Sequence, residues 1–555
     1  MGGPVATRFL SSAAILIGLC LTIYLPGVLA LPPTDRDEAR FAQSTRQMLE
    51  SGDFVRPRFR SEPRYKKPIG IYWLQAGAVA LAGSPDSIRY YRLPSLCGAI
   101  LAVLGTLAIG WRLFDPETGL LGAALLASCP LLAVEATVAT TDAVLLACVV
   151  AAQGCLACMH LARRRGETSP AWLAAGFWMA QGLGVVVKGP VAPAVSLLTI
   201  GALQLGGAGE SAWRSWRDDL RVGPGLVLLA AIVGPWAVAV GLTTDWDFYR
   251  AALAKDLLPK LLGGQESHGA PPGYYLVVSI ASFWPGSFLA VPAVLAAIRR
   301  RGGCAEGFCL AWLVPTWIFF ELVPTKLPHY VLPAFPALAL LAASTGRVAA
   351  PELRSGAARA SVSVWTAAGL ALAAVLLLGP FLLGARLGPL RCVPASAALL
   401  TASLVAWLWR CGSERPAVAC SIVGSGVVLV STLGFLLPGI ASLWVSQQAF
   451  AAVASSTGGQ RDVARRLAVV GYREPSLVFL LGGDLTLLGP DEAARFLAKH
   501  DDGLVLVSQD QEGAFEAAAS RRSLATREEA AAEGWNYSKG RWVRLRLVQR
   551  IKPRP

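Results

Sequence analysis

Charge is scarce in this chain: of 555 residues only 15% are Asp, Glu, Lys or Arg, against roughly a quarter in soluble proteins. With 54% of residues hydrophobic, a soluble multidomain protein is excluded, and the number of apolar runs excludes a single-pass anchor. Histidine is nearly absent, with four residues in all, so no His-rich metal cluster is available. Most of the 11 cysteines lie in apolar stretches and none follows Cys420, which argues against a disulfide framework. Cys155 and Cys158 spell C-x-x-C inside an apolar run, where small apolar side chains on one helical face are expected rather than a redox or metal site. The chain also lacks a dinucleotide-binding fingerprint, an internal repeat and any low-complexity tract.

What is present is a succession of apolar runs. A hydrocarbon core of about 30 Å requires about 20 apolar residues per helix. The first run, Phe9 to Leu31, is longer than a signal-peptide core and has no A-x-A site before Pro32-Pro33, so it is read as an uncleaved span. Later runs cover approximately 92–111, 119–138, 142–162, 170–187, 190–206, 223–243, 273–298, 304–323, 329–346, 361–384, 393–409 and 417–440, giving about thirteen spans. The expected fold class is therefore mainly α, a polytopic membrane protein.

Short loops with Arg163-Arg164-Arg165, Arg214/Arg217/Arg221, Arg299-Arg300-Arg301, Arg347/Arg354/Arg359 and Arg410/Arg415 share one face of this alternation. By the positive-inside rule that face is cytoplasmic. The net charge of +14 is thus assigned first to topology and anionic membrane lipid, not to nucleic acid. Loop 32–91 disobeys: it falls on the outer face yet carries Arg36, Arg40, Arg46, Arg56, Arg58, Arg60, Arg64, Lys66, Lys67 and Arg89. Long loops translocate with less regard to charge, and cations concentrated there point to an anionic ligand at the outer surface. Within the loop, Glu38 to Gly52 has helical period, with Phe41, Met48 and Leu49 on one face. The apolar stretch from Pro68 to Gly83 reads as a membrane-surface or shallowly inserted helix rather than a span.

Beyond residue 441 the chain changes character. LAVVGY, SLVFLL, GLVLVS and RWVRLRLVQR read as strands, while GPDEAARFLAKH and QEGAFEAAASRR read as helices, with Asp491 as a cap. The expected organisation is a transmembrane domain over 1–440 and a small α/β domain over 441–555. An odd number of spans puts the second domain on the outer side.

Three carboxylates, Asp35, Asp37 and Glu38, follow the first span directly. Two readings fit them: a cluster complementing the dipole of the next helix, or a base for an acceptor set beside cations for a phosphate leaving group.

The stretch 37–76 carries Asp37-Glu38, Arg40-Phe41-Ala42, Met48-Leu49-Glu50-Ser51-Gly52-Asp53, Tyr65-Lys66-Lys67-Pro68 and Tyr72-Trp73. In this order it resembles the first periplasmic loop of the aminoarabinose lipid A transferases and their protein O-mannosyltransferase-like relatives in the GT-C superfamily. Shorter echoes follow in ATTDAVLLA with Asp142, VVKGPVAP with Lys188, and KLPHYVLPAFPAL with Lys326, His329 and Tyr330. The resemblance implies an inverting glycosyltransferase moving a sugar from a polyprenyl-phosphate donor to a lipid A, glycan or protein acceptor, on the periplasmic face of a bacterial inner membrane.

By resemblance, Asp37 sits at the reaction centre with Glu38 beside it. Asp142 is a second carboxylate of the cavity, Lys67 faces the donor phosphate, and Tyr330 lies near the donor. Arg40, Lys188 and Lys326 are further outer-facing cations for that phosphate, although a helix-end lysine such as Lys188 also snorkels without any ligand. Asp35, Lys66, His268 and His329 complete the cavity candidates, the histidines as polar lining rather than catalysts. Asp256, Lys260, Glu266 and His268 lie in a loop that reads equally as an acceptor gate or a plain connection. Where the family has a glutamate before its lysine, this chain has Lys66, so no cofactor is assigned and a divalent metal stays possible but doubtful; the extra positive charge suits an anionic sugar or a more acidic acceptor. The competing class is a transporter or flippase of lipid-linked sugars, whose site would sit in broken helices at the midplane. An inactive structural relative is a third reading.

Overall fold

The computed structural model describes residues 3–206, 211–259, 269–348, 351–385, 388–457 and 466–551. Among them, ten helices are long and apolar enough to cross a membrane, and one bent pair makes up to eleven. Every expected run is helical, but fewer than the expected thirteen are full spans. Val191–Leu205 is a shorter apolar helix. The 273–298 run is broken at Phe283 into Tyr274–Ser282 and Trp284–Arg299, with Pro285 at the start of the second piece. The 119–138 run is also two helices, Pro116–Ala127 and Pro130–Thr137, bent by 61°. Proline explains both breaks, because it donates no helical hydrogen bond and fits only a first turn.

The elements that build the site are α1 (Gly3–Ala30), α2 (Asp37–Ser51), α3 (Gly70–Ala82), α4 (Ile88–Leu113), α5 (Pro116–Ala127), α6 (Pro130–Thr137), α7 (Asp142–Arg164), α8 (Ala171–Lys188) and α9 (Val191–Gly206). Helix α4 packs on α1, α3, α5, α6 and α7. Its Gly98 lets α7 approach: a Cβ there would lie 2.8 Å from Ala143 O and Val144 N. Helix α2 ends at Gly52, whose φ of +70° is left-handed and costs glycine little.

A buried ion pair fixes the end of this bundle that carries loop 32–91. Arg92 of α4 is 0% exposed; its Nε and Nη2 donate to Glu38 at 2.7 and 3.0 Å, and its remaining donors reach the carbonyls of Val28, Leu31 and Pro32. Glu38 also accepts from the Thr34 amide and hydroxyl and from the Ala139 amide, each at 2.8 Å. One carboxylate and one guanidinium therefore hold the end of α1, the start of α2, the side of α4 and the turn before α7.

Four basic loops that alternation assigns to the same face meet one another. Arg163 lies 3.8 Å from Asp219, Arg164 donates to Gly302 O at 3.0 Å, and Arg299 pairs with Glu352 at 3.0 Å.

From Val445 onward a five-stranded sheet forms, in the order β4-β3-β5-β7-β6, from β3 (Leu467–Val470), β4 (Thr486–Leu487), β5 (Leu504–Ser508), β6 (Thr526–Asn536) and β7 (Arg541–Arg550). The two-residue strands β1 (Arg58–Phe59) and β2 (Glu62–Pro63) form a separate hairpin in the first loop. Strand β3 runs parallel to β4 and β5, while β7 is antiparallel to β5 and β6. One apolar layer joins the sheet to Val445–Thr457 and Pro475–Leu481, and the other joins it to Pro490–Lys499 and Glu512–Ser520.

Two expectations fail here. SLVFLL is helix, started by Pro475 at its first position. Asp491 does not cap; it sits inside the first turn and pairs with Arg522 at 2.9 Å. Thr526–Asn536, which the sequence reading leaves unassigned, is rich in alanine and glutamate yet forms a strand along β7, where tertiary pairing overrides propensity.

Breaking a buried pair by removing one partner typically costs about 3–5 kcal/mol. Arg92→Met is therefore expected to lower stability by roughly that much, measured by thermal unfolding of the purified protein in detergent. A shift equivalent to under about 1 kcal/mol, the scale of a surface pair, contradicts the pair's role.

Candidate active site

The ends of several helices converge on a cavity of about 430 Å³. Its walls are chiefly apolar, including Phe248, Tyr249, Leu253, Phe319, Phe320 and Val323, while Lys66, Lys67, Asp142, Lys188, His329 and Tyr330 supply the polar groups.

Asp142 is the first residue of α7 and Lys188 the last of α8. The Lys188 ammonium donates to Asp142 Oδ1 at 2.5 Å and stands 5.5 Å from the centre of the Tyr330 ring. Gly189, with φ of +67°, then turns the chain into α9. Both charged side chains are about nine-tenths buried, so each needs the other. Lys188 therefore does not snorkel to solvent: it is held at the cavity wall with donors to spare, since an ammonium has three.

His329 lies between two carboxylates, with Nδ1 3.4 Å from Glu135 and Nε2 3.9 Å from Asp142. Glu135 also accepts from the Thr140 hydroxyl at 2.8 Å. Sequence reasoning missed Glu135. The signal was available: it is the one ionisable residue in the 119–138 run, and an ionisable residue inside a span marks a functional site by default.

Asp37 opens the first turn of α2 next to this cluster. Its side chain is 65% exposed and accepts from Arg64 at 3.4 Å. Partial burial pushes its pKa up, but the charges of Arg64, Lys67 and Arg40 outweigh that and hold the carboxyl below its ordinary value. Arg64 is itself locked, with its guanidinium over the Phe41 ring and Nε donating to Tyr72 Oη at 3.2 Å. It too was an unassigned loop cation in the sequence.

Three of the expected site residues are placed elsewhere. Glu38, expected as catalytic, is buried in the Arg92 pair with its acceptors taken; burial opposes its ionisation, but Arg92 and the backbone donors hold its pKa below the ordinary value. Lys326, expected at the donor phosphate, does not line the cavity. It is 4% exposed and donates to Glu321 O and Val323 O, satisfying carbonyls left free at a helix C-terminus. Asp35 faces the C-terminal unit, where it accepts from Ser476, and burial raises its pKa to about 6. His268, Lys260 and Glu266 lie outside the described residues.

Among the described residues no group of three His, Cys, Asp or Glu side chains is placed to hold a metal ion, and Lys66 lines the cavity where the family resemblance has a carboxylate.

Lys188→Met is expected to destabilise the fold by about 3–5 kcal/mol by leaving Asp142 buried and unpaired, and adding Asp142→Asn should recover much of the loss. Thermal unfolding of the single and double variants checks this; purely additive losses contradict the pairing.

Residues 66–238 match the family described as dolichyl-phosphate-mannose-protein mannosyltransferase. The undecaprenyl phosphate-alpha-4-amino-4-deoxy-L-arabinose arabinosyl transferase of Erwinia tasmaniensis is 30% identical over 62% of this chain and 61% of its own length. A relative with the same printed activity from Sodalis glossinidius is 30% identical over 68% of this chain and 66% of its own. The chain thus spans under two thirds of these curated relatives. The fold of ArnT from Cupriavidus metallidurans, apo, matches with a TM-score of 0.71 at 19% identity, covering 96% of this chain and 97% of that one. The Archaeoglobus fulgidus oligosaccharyltransferase matches with a TM-score of 0.51 at 12% identity, over 94% and 69%. Loop motif, helix order and cavity agree with these likenesses: the chain belongs to the GT-C glycosyltransferases of the protein O-mannosyltransferase and aminoarabinose lipid A transferase-like family.

Proposed function

We propose that this chain is an inverting glycosyltransferase that moves a sugar from undecaprenyl phosphate to a lipid A, glycan or protein acceptor on the periplasmic face of the bacterial inner membrane. The observation that carries this reading is the cavity's lining, apolar in most of its residues and cationic at Lys67 and Lys188. An isoprenoid phosphate calls for both: its chain gains by leaving water, and its head requires cations.

In this reading the acceptor oxygen attacks the anomeric carbon as the bond from that carbon to the phosphate oxygen breaks, and the phosphate leaves with the electron pair. Lys67 and Lys188 stabilise the charge that appears on the phosphate in the transition state, which lowers the barrier rather than only tightening binding. Asp37 takes the proton if the acceptor is a hydroxyl; if the acceptor is an anionic lipid A phosphate, Asp37 orients it or balances the oxocarbenium-like sugar. One displacement inverts the anomeric centre. Asp142 and His329 hold Lys188 and the cavity wall in place. The relatives' printed donor, undecaprenyl phosphate carrying 4-amino-4-deoxy-L-arabinose, supports the same carrier. ArnT from Cupriavidus metallidurans, whose fold matches over 99% of this chain with a TM-score of 0.71, was solved bound to undecaprenyl phosphate.

A flippase of lipid-linked sugars is disfavoured by where the charges stand. Asp37, Asp142, Lys188 and His329 lie at helix ends, whereas a transporter builds its site near the bilayer midplane.

Mass spectrometry of lipid A and glycoproteins from cells with and without the chain is expected to reveal a sugar added only when it is present. Asp37→Asn should abolish that product at normal expression; full product refutes the assignment of Asp37. Arg64→Gln removes the cation that most lowers the Asp37 pKa, so the acid limb of the activity profile is expected to move to higher pH. A limb that stays in place contradicts the coupling.

A further inference from the structure

The residue before Asp37 is under backbone strain. Arg36 adopts φ 67° and ψ −113°, a conformation that an L-residue with a Cβ holds only when its surroundings impose it. The imposing contacts come from the C-terminal unit. The Asp35 amide donates to Tyr537 Oη at 2.7 Å, and the Arg36 guanidinium donates to Ser538 O. The Asp35 carboxylate accepts from the Ser476 amide at 3.3 Å and from its hydroxyl.

These partners are themselves anchored. Ser476 bonds Ser446 at 2.6 Å, and Ser446 lies 3.0 Å from Tyr472 Oη. Asn536, just before Tyr537, donates to buried Glu474 at 2.8 Å. The Tyr537 ring packs on Trp444 with centroids 6.4 Å apart. The turn between β6 and β7 and the start of the Pro475–Leu481 helix thus grip two residues directly ahead of Asp37. Arg36 gains no conformational benefit from this geometry. The position of the next residue does gain, because Asp37 begins α2 at the point where the strained turn delivers it.

We propose that the C-terminal unit is part of the catalytic apparatus: Tyr537, Ser538 and Ser476 clamp the Asp35–Arg36 turn and thereby aim the Asp37 carboxylate at the cavity. Tyr537 and Ser476 are positioning residues; they touch neither donor nor acceptor. This rests on the reading of Asp37 as the reacting carboxylate. Misplacing a reacting group by about 1 Å costs on the order of a hundredfold in rate. Loosening the clamp should therefore lower turnover while leaving the donor's phosphate site, built by Lys67 and Lys188, intact.

The test uses the full chain with Tyr537→Phe and Ser476→Ala, singly and together, and Asp37→Asn as reference. Turnover is read from the sugar-modified product by mass spectrometry, and donor-site integrity from binding of undecaprenyl phosphate to the purified protein. The double variant is expected to lose about tenfold or more in turnover, with undecaprenyl phosphate affinity within about twofold of the parent and unaltered expression. Arg36→Gly in the Tyr537→Phe background is expected to restore part of the turnover, because glycine holds this φ and ψ without strain. Unchanged turnover in the double variant, beside an inactive Asp37→Asn, overturns the clamp alone. Equal losses of turnover and undecaprenyl phosphate binding overturn it too, as they indicate a general structural role. Full turnover in Asp37→Asn overturns the reading of Asp37 and, with it, the purpose of the clamp.

Discussion

The end of this protein that carries loop 32–91 is organised around one buried guanidinium. Arg92 is fully removed from solvent and spends its donors on Glu38 and on three carbonyls at the end of α1. A desolvated charge pair is tolerated only when nearly every polar atom finds a partner, and that requirement fixes geometry. The exit of the first span, the start of α2 and the Ala139 turn must all come to the same point. Asp37 follows from this constraint, since its neighbour Glu38 is the anchored residue. The two adjacent carboxylates therefore have opposite environments. Glu38 is saturated and structural, while Asp37 is exposed beside Arg64, Lys67 and Arg40.

The second organising element is the set of helix ends at the cavity. Asp142, Lys188 and His329 come from α7, α8 and the Pro328–Ala334 turn, and Glu135 comes from the second half of a bent span. Each brings a charge or a polar ring to the rim of a chiefly apolar space, where Coulomb interactions are stronger than in water. Positive and negative groups alternate, so the site is not a simple basic patch. Lys188 is shared between Asp142 and the cavity, which Lys66 and Lys67 also line. A phosphate that enters meets cations already held in place, which spares the reorganisation that water would require.

Much of the fold was legible because bilayer physics writes it in plain runs of apolar residues. Helix breaks were less legible, since Pro130 and Pro285 lie inside runs whose hydropathy never falters. An ordered motif singles out Asp37, Lys67, Asp142 and Tyr330, and the last three line the cavity. Lys326 was misplaced because a lysine after a helix end reads the same whether it faces a ligand or its own helix's carbonyls. Glu38 and Asp35 were grouped with Asp37 by adjacency, but consecutive residues at a helix start point in different directions. Glu135 and Arg64 have no motif; only tertiary packing pairs them with His329 and Asp37. In the C-terminal unit, Thr526–Asn536 carries a helical composition and becomes strand through its partner β7.

The excess of cations in a chain so poor in charge thus separates by location. Arginines of the short loops pair with one another's neighbours on one face, whereas in the first loop Arg64 and Arg40 stand by Asp37 and Lys66 and Lys67 line the cavity. The most direct measurement is a structure of the full chain with undecaprenyl phosphate bound. The phosphate is expected against Lys67 and Lys188, with the first isoprene units along Phe248, Phe319 and Phe320. A phosphate bound away from both lysines, or a prenyl chain that leaves this cavity empty, contradicts the proposed reaction centre.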